Sequence, residues 1–160
     1  MIKKLFEVIK GGKTENSPAT IHQKFKNVFS LDAPAILIRN DKYDLFQLYD
    51  PNDELATITI GAYAKDGGTL EEFCEYRFAN VEDVYKPVSE IQVFEAEHAV
   101  GKIQEFEGTF PNESEPTYFV AVGMQTGDVF LSINFVTERE HYTDHRSQYT
   151  AVLESIRPDS

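Results

Sequence analysis

The chain has 160 residues, 41% hydrophobic and 12% aromatic, with a formal net charge of −12, enough for one domain with a real core and too little for two. Its apolar runs are strand-sized, well short of the roughly 20 residues that cross a bilayer, and a single cysteine, Cys74, leaves no internal disulfide framework. Residues 1–30 hold six lysines against Glu7 and Glu15, so the other 130 residues sum to −16; this argues against a nucleic-acid-binding body, because phosphate contacts need clustered Lys and Arg.

Ile2, Leu5, Phe6 and Ile9 fall at i, i+3, i+4 and i+7, which predicts a short amphipathic helix ended by Gly11-Gly12. Glu7 and Lys10 interrupt any continuous apolar stretch there, so this start is not read as a secretory signal. Residues 11–20, GGKTENSPAT, lack apolar spacing and read as a linker. The expected division is therefore an amphipathic segment and linker over 1–24, with His22 in that arm, followed by a single domain over 25–160.

Within the domain, a strand is predicted around Asn27–Leu31, a break at Ala33-Pro34, and a short strand through Ile36, Leu37 and Ile38. Asn40-Asp41-Lys42 turns into Leu45–Tyr49, and Asp50-Pro51-Asn52-Asp53 turns into a long strand over Glu54–Ala64, which together suggest an antiparallel meander. Thr69-Leu70-Glu71-Glu72 matches the capping-box pattern and predicts a helix over 70–80 with Leu70, Phe73, Cys74 and Phe78 buried. Edge-type strands are expected over Ile91–Glu95 and His98–Phe106, and the glutamates between 90 and 115 suit an exposed sheet edge.

Residues 116–136, PTYFVAVGMQTGDVFLSINFV, hold two apolar runs joined by Gln125-Thr126-Gly127-Asp128 and predict the central hairpin of the sheet. Both faces are apolar or small, so both need cover, and Leu131 and Ile133 are expected in the core. Thr137-Glu138-Arg139-Glu140 repeats the capping-box pattern ahead of a last helix running to about Ile156, with Tyr142, Tyr149, Val152, Leu153 and Ile156 as its apolar stripe. The fold class read from this order is α+β, an antiparallel sheet flanked by helices on both faces.

Few constellations carry chemistry. His141 and His145 lie four apart on the last helix and could bind a transition metal, or serve a hydrolase, but HYTDH lacks the Glu that follows the first His in a zincin motif, and no third ligand is implied. His98 is paired by sequence with no nucleophile. Cys74 has Glu71, Glu75 and Tyr76 around it, an acidic setting that raises a thiol pKa, and reads as a core residue. No serine sits in a G-x-S-x-G context, and neither glycine pair forms a phosphate loop. No catalytic, cofactor-binding or metal-ligating set is assigned.

Several phrases resemble the PsbP-like superfamily: FSLDAPA at 29–35, LYDPNDELATITI at 48–60, GTLEEFCEYRF at 68–78, FVAVGMQTGDVFLSINFV at 119–136 and AVLESIRP at 151–158. Where many relatives carry a tryptophan shortly after the early proline, Ile36 follows Pro34-Ala35 here. The resemblance implies an α/β/α sandwich and a binding protein rather than an enzyme, without cofactors. It groups a photosystem subunit, a Ran-binding nuclear-import factor, DcrB-type envelope proteins and Eag-type secretion chaperones, and carries over no catalytic residues. The expectation is a non-enzymatic, cytoplasmic adaptor or secretion-chaperone-like module whose partner is another protein and not nucleic acid; the alternatives are a metal-binding protein or hydrolase using His141 and His145, or a small-ligand-binding domain.

Overall fold

The computed structural model describes residues 19–109 and 111–159. In chain order the elements are β1 (Thr20–Phe25), β2 (Phe29–Pro34), β3 (Ile38–Arg39), β4 (Phe46–Asp50), β5 (Asp53–Ala64), α1 (Leu70–Glu82), β6 (Lys86–Pro87), β7 (Gln92–Glu95), β8 (Val100–Gly108), β9 (Thr117–Thr126), β10 (Val129–Thr137), α2 (Arg139–Glu154) and β11 (Arg157–Pro158). The larger sheet runs β3-β4-β5-β10-β9-β8-β6, with β7 also on β8, and a smaller sheet runs β1-β2-β11; every pairing is antiparallel. The fold is α+β.

The predicted central hairpin is β9 and β10, joined at the register pair Thr126 and Val129. Gly127 takes φ +56° at the first position of the two-residue loop, where a II′ hairpin turn asks for glycine. Leu131 and Ile133 are fully buried, as expected. The β3-β4-β5 meander also forms, and Asp50 helps close its second turn by accepting a hydrogen bond from the Asn52 N–H at 2.8 Å.

Each helix takes a different set of residues from β9. Cys74, Phe78 and Val81 of α1 cluster with Phe106 and Ala121, and the Cys74 thiol lies against Gly123. Tyr142, Tyr149, Val152 and Leu153 of α2 cluster with Tyr118, Val120, Val122 and Met124, and with Phe29, Leu31 and Ala33 of β2. The smaller sheet thus shares the α2 core. At Thr69 the predicted capping box is complete: its hydroxyl accepts from the Glu72 N–H, and Glu72 Oε1 accepts from the Thr69 N–H at 3.0 Å.

Residues 1–18, including the helix predicted over 2–10, lie outside the described residues. Among the described residues, several expectations need correction. A strand, Thr20–Phe25, already precedes the expected start at Phe25, and it pairs back on β2 because the backbone turns sharply at Lys26 and Asn27, both at positive φ (48° and 60°), with the Val28 N–H closing on the Phe25 carbonyl at 2.8 Å. The strand predicted around Asn27–Leu31 is therefore β2, beginning after that turn, and His22 sits on β1 rather than in an arm. Leu70 and Phe73 are half-buried, Phe73 packing at a tilt against Phe130 and Tyr63, while Val81 joins Cys74 and Phe78 in the buried stripe of α1. β8 is an interior strand: it pairs with β9 on one side and with β6 and β7 on the other, so β6 and β7 form the edge at this end of the larger sheet. Thr137 does not cap α2; it is buried in β10, and the cap position falls to Glu138, whose side chain makes no capping bond. The last helix ends at Glu154, before Ile156, because the chain straightens to pair Arg157 and Pro158 with Ser30 and Phe29.

Candidate functional site

Under α2, polar groups gather beside an apolar cavity. The helix is kinked at His145, whose φ and ψ are −116° and 15°. The His141 carbonyl, which residue 145 would meet in a regular helix, accepts a hydrogen bond from His145 Nδ1 at 2.9 Å. A carbonyl can only accept, so this nitrogen carries a proton and Nε2 is left as the free ring position. The two imidazoles stack at 4.2 Å between centroids, 18° from parallel.

His141 is fixed from both sides. Its Nδ1 lies 3.3 Å from Asp53 Oδ2, at the start of β5, and its Nε2 lies 3.0 Å from the Tyr149 hydroxyl. Burial, with Asp53 and Asp50 nearby, pushes the Tyr149 phenol well above its ordinary range. A phenol that keeps its proton donates, so the consistent arrangement is Tyr149 O–H to His141 Nε2 and His141 Nδ1–H toward Asp53. This array orients an imidazole.

Below these rings is a cavity of about 330 Å³. Leu48, Ala56 and Ile58 of β4 and β5 form its floor, Pro34, Ile36 and Leu37 one wall, and His141, His145, Gln148, Tyr149 and Val152 its roof, with Asp50 at the rim. Apolar walls with a few converging polar groups are the usual make-up of a ligand pocket, and the volume is at the small end of the ~300–1,000 Å³ range.

The structure thus brings His141 and His145 together as their spacing foretold. Both ring nitrogens of His141 are engaged and one of His145 is committed to backbone. No group of three His, Cys, Asp or Glu that could hold a metal ion occurs among the described residues. Asp50, Asp53 and Tyr149 were not singled out for this site from sequence; Tyr149 read only as part of an apolar stripe. The signal available was the spacing His141, His145, Tyr149, one face of a helix at i, i+4 and i+8.

The remaining candidates are structural. His22 Nδ1 lies 3.0 Å from Asp32 Oδ1 and 2.7 Å from Arg157 Nη2, joining the three strands of the smaller sheet. The His98 carbonyl accepts from the Thr126 hydroxyl at 2.7 Å. Cys74 is buried and unpaired, and burial pushes its thiol pKa up.

No protein-family model matches the chain, and no curated protein matches it. Solved structures do. Cyanobacterial PsbP (CyanoP) from Synechocystis superposes with a TM-score of 0.66 at 12% identity, covering 92% of this chain and 96% of that one. PA94 of Pseudomonas aeruginosa, a protein of unknown function, gives 0.54 at 11% identity over 84% and 94% of the two chains. A Bacteroides thetaiotaomicron protein gives 0.60 at 12% identity over 82% of this chain, which spans only 45% of that longer one. At such identities the likeness is one of fold, and with a mostly antiparallel sheet, two helices and near-complete coverage of CyanoP, the chain has a PsbP-like fold.

Proposed function

We propose that this chain is a non-enzymatic module that binds a segment of another protein, acting as a cytoplasmic adaptor or chaperone-like protein. The observation that carries the reading is the open edge at β7: Val93 is 72% exposed, Ile91 beside it is 50% exposed, and the outer side of the strand faces no other described strand. A partner strand can add to such an edge through main-chain hydrogen bonds, with alternate side chains supplying selectivity. The finer architecture we propose is the α/β/α sandwich, supported by the alternation in β9, since successive residues of a strand point to opposite faces and the two helices take opposite sets.

The non-enzymatic reading is supported by the engaged nitrogens of His141 and the raised pKa of Tyr149. The charge of −16 beyond residue 30 supports a partner other than nucleic acid. A lone buried thiol fits a reducing compartment. Affinity capture from the native host with the intact chain and with Val93→Lys, followed by mass spectrometry, tests the proposal. One stoichiometric partner recovered with the former and lost with the latter is expected; a partner retained by the variant overturns the edge as the binding surface. The cavity under α2 supports a second reading, a small-ligand site.

A further inference from the structure

We propose that the cavity beneath the kink of α2 binds a small aromatic amine or alcohol, its ring against Ile36 and Leu37 and its head group toward Asp50, Gln148 and His145. The inference is independent of the sheet-edge reading. Shape comes first: a one- or two-ring molecule suits about 330 Å³, and the accessible part of the lining carries the apolar side chains of Ile36 and Leu37 together with the imidazole of His145. A site lined this way favours a planar apolar body over a bare ion or a sugar, which would leave polar groups unpaired against hydrocarbon.

The head group follows from which hydrogen-bonding positions are already taken. His141 is used up by Asp53 and Tyr149, and His145 Nδ1 by the helix backbone. That leaves His145 Nε2, an acceptor when the ring is neutral, the Gln148 amide, and Asp50, of which Oδ1 accepts from Asn52 and Oδ2 remains. Two of these three are acceptors, so they ask for a ligand that donates. No Lys or Arg is among the described residues lining the cavity, whereas Asp50 lines it and Asp53 lies behind His141. A carboxylate or phosphate head would meet like charge and no cation. An ammonium or hydroxyl donor meets the acceptors present.

Three probes sharing one ring separate these requirements: tryptamine, indole and indole-3-acetate, titrated into the full chain and followed by the backbone amide resonances of Ile36, Leu37 and Gln148. Saturable shifts are expected with tryptamine and, more weakly, with indole, and tryptamine should bind at least about tenfold more tightly than indole-3-acetate. Asp50→Asn, at the rim and not in the core, should remove most of that preference while leaving indole binding unchanged. Ala56→Trp should fill the floor and abolish the shifts, and Val93→Lys should leave them in place. The proposal is overturned by the absence of saturable shifts with all three probes, by indole-3-acetate binding as well as or better than tryptamine, or by an Asp50→Asn variant that keeps the full preference.

Discussion

Replacing Gly123 by alanine puts a methyl group into the seat of α1. A Cβ built on Gly123 would lie 2.5 Å from Cys74 Sγ, closer than side chains tolerate, whereas the Cα and Cβ of Cys74 are 3.5 Å away, ordinary contact distance. The thiol is buried and donates to the Gly123 carbonyl at 3.5 Å, so turning the sulfur out of the way forfeits that contact. Forcing an extra carbon into such a contact costs about 1–3 kcal/mol. Cys74→Ala alone removes a buried sulfur and leaves a small void, a loss expected near 1 kcal/mol. In the double variant the alanine methyl at 123 occupies the space the sulfur has vacated, so the two changes should not add: Gly123→Ala in the Cys74→Ala background should cost under about 0.5 kcal/mol. Urea unfolding of the four proteins measures the cycle. Strict additivity, with Gly123→Ala costing as much in both backgrounds, would show that the helix does not rest on this glycine and would refute the packing account.

Leu131→Ala, at a fully buried position of β10, should cost about 2–5 kcal/mol in the same assay; an unchanged urea midpoint contradicts its place in the core. Thr69→Ala should cost about 0.5–2 kcal/mol through the lost cap, and adding Glu72→Ala should cost less than it does alone, since the two side chains serve one another. Independent losses at 69 and 72 would mean the box is not a unit. Asp32 gives a pH dependence: the His22 hydrogen bond, with Arg157 assisting and burial opposing, holds its carboxyl below the ordinary carboxylate value. A depressed folded-state pKa contributes stability above the unfolded value and loses it as pH falls through the folded one. The stability gap between wild type and Asp32→Asn should therefore be widest near neutrality and shrink below about pH 4; a gap that stays constant into acid rules the linkage out.

The parts of the fold that read correctly from sequence are those where local chemistry and tertiary packing agree. The apolar alternation of 117–137 sits at the centre of the sheet, and Thr69 with Glu72 starts α1, because each signal is satisfied by groups a few residues away. The errors fall where a distant partner decides. Lys26 and Asn27 carry no glycine to announce a turn, yet both adopt positive φ, and Lys26 reaches Asp44 at 2.6 Å across a second turn in which Tyr43 and Asp44 are also at positive φ. Thr137 meets every local requirement of a cap and is held in β10 instead by its ladder to Tyr118. The cavity was half legible: the spacing of His141 and His145 put them on one face, but Asp53 and the floor from β4 and β5 come from a segment some ninety residues earlier, which no local pattern connects to α2.

The smaller sheet sets a condition on how the protein is made. β2 lies between β1, its immediate predecessor, and β11, near the other end of the sequence, and the Ser155 hydroxyl accepts from the Asp32 N–H across 123 residues. While the chain is emerging from the ribosome, β2 has only a hairpin partner, a unit marginal by itself in water. Phe29, Leu31 and Ala33 wait on α2 for cover and on Arg157 and Pro158 for a second edge. Completion of that sheet therefore waits until residues 155–158 have left the exit tunnel, and until then the nascent chain presents an open strand that a chaperone, or a neighbouring nascent chain, can occupy.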